Sequence, residues 1–555
     1  MVRPINHAMR FLVLGLGLLT AAPTAEAADR AWRIPTGGTF SGGGNWNGPV
    51  PGASDTAGFG LSTPGIFGAL PPYTVSFTAD ATNQALTVFD DRVTFDLNGH
   101  FYSATDPNVP MKLGTVSGAS GGLAVTDGFV ILPSRSDVQI ATTSGGSGFL
   151  AVNTGGVVLG TPELFVGLNG NGALNVENGA SIVASDAVIG LNSGATGTVT
   201  ITGAGSLLNS VRFDFNSYFR VGDAGAGTLN ISDGGIVITE SRAHIARATG
   251  AGTVTVGGTG SNWTVRDELG VGVSNNFTLN GGAGTLTIQP GGTVDVASTI
   301  TLGDGGIVNL DGGTLSAGSI DFLGAIKQFD WTSGTLHVGV YDGSLTVPNG
   351  GVLAPGRNGA GITAILQSYF SLAGSTTQIE IGGTAQNGTN SDFIGVGSSA
   401  ILSGGNLQLR LINNFVPSST DTFLILRSTN SIFGSYANIA SGQRLPTSDG
   451  SGSFLVHYGA GSPFDVEEIV LSSFLPALPG DFDFDGDVDG RDFLLWQRGG
   501  SPSPLSGSDL ADWQGNYGVG PLTAASVAVP EPSAFVLALL GICSLGPKQL
   551  SIRRL

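Results

Sequence analysis

The sequence predicts an all-β fold: a right-handed parallel β-helix (a solenoid) with flanking β modules and one small α-helical module. Three observations predict it. Glycine is abundant, at 91 of 555 residues, while charged residues make up only 11% and hydrophobic residues 41%. Disordered chains show the opposite balance, and glycine without a three-residue period excludes collagen. Second, the middle of the chain repeats itself. Third, apolar residues within each repeat alternate with Thr, Asn or Ser, which is the period of a strand.

Charge narrows the partners. The formal net charge is −19, from 22 basic and 41 acidic residues. Such a chain repels a phosphate backbone, and no basic stretch in its body reverses this, so nucleic acid is not an expected partner. Cys543 is the sole cysteine. An intrachain disulfide is therefore excluded, and cysteine usage says little about the compartment.

Residues 1–27 place Arg3 and Arg10 before an apolar run over 11–19, then Ala25-Glu26-Ala27. That order is a secretory signal peptide with cleavage after Ala27, and the run is too short to span a bilayer. Export is expected. Residues 28–140 read as an N-terminal β module that caps the first coil, because solenoid ends need covering. Trp32, Gly44-Asn45-Trp46-Asn47 and Pro51-Gly52-Ala53-Ser54-Asp55 resemble the small β module that opens many such repeat proteins.

Residues 141–356 carry the repeats. Gly197-Thr198-Val199-Thr200-Ile201 matches Gly252-Thr253-Val254-Thr255-Val256, and Gly227-Thr228-Leu229-Asn230-Ile231 matches Gly284-Thr285-Leu286-Thr287-Ile288. Val199 and Val254 are 55 positions apart, Leu229 and Leu286 57, so two kinds of unit alternate. Each half closes on an apolar residue and a glycine, as in Ile189-Gly190 and Val221-Gly222. Leu229 and Ile231 are expected to point inward, Thr228 and Asn230 outward, with glycine supplying the positive φ of each corner. Roughly nine coils over 149–355 would stack to a rod of about 45 Å.

This region resembles the passenger of autotransporter adhesins and the autotransporter-associated β-strand repeat. In residues 357–474 the likeness continues through Gln378-Ile379-Glu380-Ile381, Ser391-Asp392-Phe393-Ile394 and Leu402-Ser403-Gly404-Gly405-Asn406-Leu407, which follow Gly351-Val352-Leu353-Ala354-Pro355-Gly356 in the family's order. The resemblance implies an adhesive or structural surface role.

Residues 475–520 hold the sharpest chemistry. Asp481, Asp483 and Asp485 stand at loop positions one, three and five, Gly486 at six, Asp487 at seven, Asp489 at nine and Asp492 at twelve. This is the spacing of an EF-hand calcium loop, in which glycine permits the sharp turn that lets the carboxylates converge. Asp487 is expected to ligate through its carbonyl. Without a cation the six carboxylates repel one another. The loop resembles one half of a type I dockerin, making this an EF-hand-like, dockerin-like module. A second loop is missing, and Gly490-Arg491 replaces the family's hydroxyl pair. Calcium is the expected cofactor; a cohesin partner is not.

Residues 521–555 contain Val529-Pro530-Glu531-Pro532, an apolar run over 533–546, and Lys548, Arg553 and Arg554. The order resembles the PEP-CTERM sorting signal, which implies an exosortase-type processing enzyme and a cell-surface or extracellular location. Contact with the membrane is expected through this tail alone, with its basic end cytoplasmic. Fourteen helical residues span only roughly 21 Å of a ~30 Å hydrocarbon core, and Leu550 and Ile552 extend the embedded part.

No catalytic centre is expected. The densest polar set is Glu240, Arg242, His244 and Arg247. Because His244-Ile245-Ala246 aligns with Val188-Ile189-Gly190, Ile245 should fill the core and His244 face solvent. Two functions stay open: a non-enzymatic structural or adhesive surface protein, and a component that binds or degrades polysaccharide in a dockerin-bearing assembly. Only six Trp occur, scattered along the chain, which favours the first over extracellular polysaccharide as partner.

Overall fold

The computed structural model describes residues 28–60, 71–133, 136–211, 218–274, 276–277, 280–323, 328–357, 359–385, 388 and 390–520. The signal peptide expected at 1–27 and the sorting tail expected at 521–555 lie outside the described residues. The described part is mostly β, dominated by a large parallel sheet, and two compact units separate within it: residues up to 449 with 454–474, and 450–453 with 475–520.

In the first unit three ladders of parallel strands run side by side. One joins Asp29–Ala31, Thr56–Phe59, Ala85–Val88, Met111–Leu113 and Val138–Ile140, then passes through residues 164–166 and 187–189 to Tyr218–Val221 and Arg242–Ile245. A second pairs Val199 with Leu229, Leu229 with Val254 and Val254 with Leu286. A third pairs Leu208 with Val237, Val237 with Trp263 and Trp263 with Val294. From Thr196–Thr202 the chain enters Leu207–Ser210, then Tyr218–Val221, and returns to the second ladder at Ala226–Ser232. The first ladder runs through residue 140 without a break.

Local alternation explains why these segments are strands. Leu229, Ile231, Val254 and Val256 are buried, while Thr228 and Asn230 keep partial exposure. Each such aliphatic side chain contributes roughly 1.5–3 kcal/mol when taken fully out of water. The corners need glycine for two reasons. Gly222 has φ +76°, and a Cβ there would lie 2.1 Å from the Ala251 carbonyl oxygen. Near the start of the first unit, Trp32, Phe40, Trp46, Phe59, Phe77, Phe95 and Tyr102 fill the interior with mutually packed rings. Farther along, Leu345–Val347, Tyr369–Leu372, Ala400–Ser403 and Ile432–Ser435 form a separate parallel sheet of four strands.

The second unit contains the two α-helices found among the described residues, α1 (Gly490–Gln497) and α2 (Gly507–Asn516). Asp489 caps α1 and Ser506 caps α2, each through its side-chain oxygen.

Candidate metal centre

The acidic loop enters at Asp481 and turns at Gly486, whose φ of +99° favours glycine. A Cβ at Gly486 would also stand 2.8 Å from Leu475 Cδ1. The turn brings backbone N–H groups onto the carboxylates. Gly486 donates to Asp481 Oδ2 at 3.0 Å, Asp485 to Asp483 Oδ1 at 3.3 Å, and Asp487 to Asp485 Oδ1 at 3.2 Å.

Asp492 is fully buried and brackets the loop. Its Oδ1 accepts from the N–H groups of Phe482 at 2.6 Å and Asp483 at 3.1 Å, and its Oδ2 accepts from Asp489 at 2.8 Å. Asp489 in turn accepts from Arg491 N–H at 2.6 Å, and also from the Asp492 backbone N–H, which completes a capping box on α1. Loop position twelve is therefore also the third residue of the helix.

The six predicted aspartates come together as two triads, Asp481/Asp483/Asp485 and Asp487/Asp489/Asp492, each with ligand atoms within 4.8 Å of one another. Asp481 Oδ1 and Asp487 Oδ1 are buried and meet no hydrogen-bond partner. Burying such oxygens without a partner is costly, and a hard cation with several oxygen ligands is one way to relieve it. Burial, reinforced by the charges of neighbouring aspartates, pushes the Asp481 and Asp483 carboxyls up to about 6. Arg491, at 3.7 Å from Asp485, is mostly exposed and offsets little of this repulsion.

The loop is also held from behind. Val488, the apolar residue at loop position eight, is fully buried; its N–H donates to Val519 O at 2.9 Å, and its carbonyl accepts from Gly518 N–H at 2.8 Å. From α2, the Trp513 ring packs on Phe493 at 4.7 Å. The expectation singled out the acidic positions and missed Val488 and Trp513. The signal for Val488 was present: one aliphatic residue inside a run of carboxylates.

The Glu240/Arg242/His244/Arg247 set requires a correction. The expected alignment holds, since Val188 pairs with Arg220, Arg220 with His244 and His244 with Gly270. Yet His244 is fully buried rather than facing solvent. Gly270 leaves room beside it, and the loop after Leu269–Val271 lays Phe277 over the imidazole at 4.5 Å between ring centres. The cations around it are committed: Arg247 to Asp223 at 2.7 Å, Arg220 to Asp223 at 3.5 Å, and Arg242 to Glu268 at 3.1 Å. Glu240 pairs with Arg266 at 2.9 Å. A sealed imidazole amid paired guanidiniums offers no open face to a substrate in this conformation.

No protein-family model matches the chain, and no curated relative matches it.

Proposed function

We propose that this protein is exported to the cell surface or the extracellular matrix, where a non-enzymatic β body plays a structural or adhesive part and loop 481–492 binds calcium. The order in which the chain visits three parallel ladders supports reading the β body as a right-handed parallel β-helix, since parallel crossovers are right-handed almost without exception. The calcium reading rests on one observation: the buried, unpartnered Asp481 Oδ1 within an acidic loop that turns at Gly486.

Asp481, Asp483, Asp485, Asp489 and Asp492 would hold the cation with their carboxylates and Asp487 with its carbonyl. Bound calcium supplies positive charge that cancels their mutual repulsion. The chain's own part is to hold the loop open through Asp492 and the Val488–Val519 pairing. Residues 521–555 are read as the sorting tail for an exosortase-type enzyme. Calorimetry on the exported chain tests the calcium reading. Uptake of one calcium per chain, reversed by chelator, is expected; no uptake at millimolar calcium would overturn it.

A second reading, association with extracellular polysaccharide, is favoured by a cleft in the first unit.

A further inference from the structure

The parallel ladder opens at residues 329–333. Strand Phe329–Tyr341 pairs on one side with Gly306–Phe322, matching Val308 to Phe329, Asn309 to Asp330 and Leu310 to Trp331. On its other side, pairing to Gly351–Pro355 begins only at Gly334. The intervening strand Leu345–Val347 belongs to the separate four-stranded sheet. Among the described residues, 329–333 therefore have no strand partner on that side. Between them and residues 344–348 lies a cleft of about 800 Å³.

Its floor is aromatic. Trp331 and Tyr341 are 9% and 7% exposed, and Phe329, half-buried, is the ring most open to the cleft. Phe329 packs edge-on against both, at 6.3 and 6.0 Å between ring centres. The Trp331 indole N–H is already used on the Gly334 carbonyl at 3.3 Å. What these rings offer a ligand is apolar surface.

Its walls are polar and acidic. A register shift after Leu310 leaves Thr332 as the extra residue of a bulge, and its hydroxyl donates to Asp311 Oδ1 at 2.8 Å. Bulges re-aim side chains, and this one sets Asp311 at the cleft beside exposed Asp330. Asn309 and Thr287 join them from the neighbouring strands, bonded to each other at 3.3 Å. Among the described residues, no Lys, Arg or His lines the cleft.

We infer that this cleft binds a neutral oligosaccharide. A pyranose presents apolar C–H faces and a rim of hydroxyls that both donate and accept. The floor suits the faces; Asp311, Asp330 and Asn309 suit the rim, with charge-assisted bonds from sugar hydroxyls to the carboxylates. The carboxylates of Asp311 and Asp330 disfavour phosphates, uronates and nucleic acid. A strand-like peptide would need a longer free edge than 329–333 for backbone pairing to carry its affinity. Small ammonium ligands need open ring faces, which Trp331 and Tyr341 do not present. The site owes nothing to loop 481–492 and goes beyond the calcium reading.

The test is calorimetry of the full exported chain against neutral gluco-, xylo- and manno-hexaoses, with a galacturonate hexamer as acidic control. At least one neutral hexaose is expected to bind and to change tryptophan fluorescence, with the galacturonate about tenfold weaker or more. Asp311→Ala with Asp330→Ala, both at exposed positions, should weaken binding by about tenfold or more while circular dichroism stays unchanged. Trp331→Phe should lose the fluorescence change, and a change that persists would place the reporter outside the cleft. Chelating calcium should leave the affinity as it was, which separates this site from the metal loop. Absence of binding to every neutral hexaose at millimolar concentration would overturn the inference. So would wild-type affinity in the double variant, or a peptide or amine that binds the cleft in preference to all the sugars.

Discussion

The Trp513 indole donates a hydrogen bond to the backbone carbonyl of Asp489 at 2.7 Å, joining α2 to the loop position at which α1 begins. The bond fixes the peptide of a predicted ligand from outside the loop. Trp513→Phe would keep the packing on Phe493 and lose only this donor. Calcium affinity is expected to fall by up to about tenfold, the scale of one such bond left unmade. Titration calorimetry of the two chains checks it, and equal affinities would show that α2 does not brace the loop.

Removing ligands should do more. Asp481 contributes the buried, unpartnered Oδ1, and Asp489 is both a proposed ligand and the helix cap. Asp481→Ala combined with Asp489→Ala is expected to abolish calcium uptake. The lost cap should also weaken α1 by about 0.5–2 kcal/mol even without the ion. Equal heats of calcium binding for variant and wild type would refute the ligand assignment.

His244 predicts an acid sensitivity in the β body. Burial first, then the charges of Arg220, Arg247 and Arg242, push its imidazole down to about 3, against the Val273 backbone, which works the other way. Asp223 faces Arg220 and Arg247, Asp267 and Glu268 face Arg242, Asp186 acts on Arg220, and the rings of Tyr218 and Phe277 flank the imidazole. In the unfolded chain the same group titrates near ~6.5. Between about 6.5 and about 3 the unfolded state binds more protons, so stability is full above that window and falls as pH drops through it, by roughly 1.4 kcal/mol per pH unit at most. His244→Met should flatten the difference between urea midpoints at pH 7 and pH 4.5. If variant and wild type lose the same stability over that interval, the buried imidazole is not the cause.

How far such features were legible depends on whether they are local. Strand faces were readable because Leu229 and Ile231 alternate with Thr228 and Asn230, and the corner at Gly222 because only glycine accepts its φ and its close neighbour. The convergence of the six aspartates was readable because they lie within twelve consecutive residues. Periodicity set the register of His244 correctly but could not show that Phe277, from the loop after Leu269–Val271, would cover it. Nor could it show Phe329, Trp331 and Tyr341 meeting in one cleft, because that depends on where the ladder parts. Asp492 read as a ligand from spacing alone. Its three backbone bonds depend on the turn through Phe484 at φ +58° and Gly486.

Trp263 tests the stacked architecture. It is fully buried in the third ladder between Val237 and Val294, with its indole donating to Thr239 Oγ1 at 3.2 Å. Trp263→Ala should cost about 3–5 kcal/mol. In a stack whose circuits touch only their neighbours, that loss stays local. Hydrogen exchange should accelerate in Ile236–Thr239 and Thr293–Leu302, while Thr56–Phe59 keeps its protection. Uniform loss of protection along the first unit would count against a solenoid.

Retention at the cell surface should depend on the tail. Among the described residues no helix is long and apolar enough to cross a membrane. Outward positions such as Thr228, Asn230 and Thr255 offer nothing to lipid. After removal of residues 1–27, the sequence has its membrane-compatible run over 533–546, backed by Lys548, Arg553 and Arg554. A chain ending before Val529 should still be exported, because the proposed leader at 1–27 is intact, and should accumulate in the medium. If an exosortase-type enzyme acts on the full chain, mass spectrometry of the surface form should find no peptide beyond the Pro530-Glu531-Pro532 block. A truncated chain that stays on cells at the wild-type level would defeat the sorting role. Its release by Asp311→Ala with Asp330→Ala would then assign retention to the cleft.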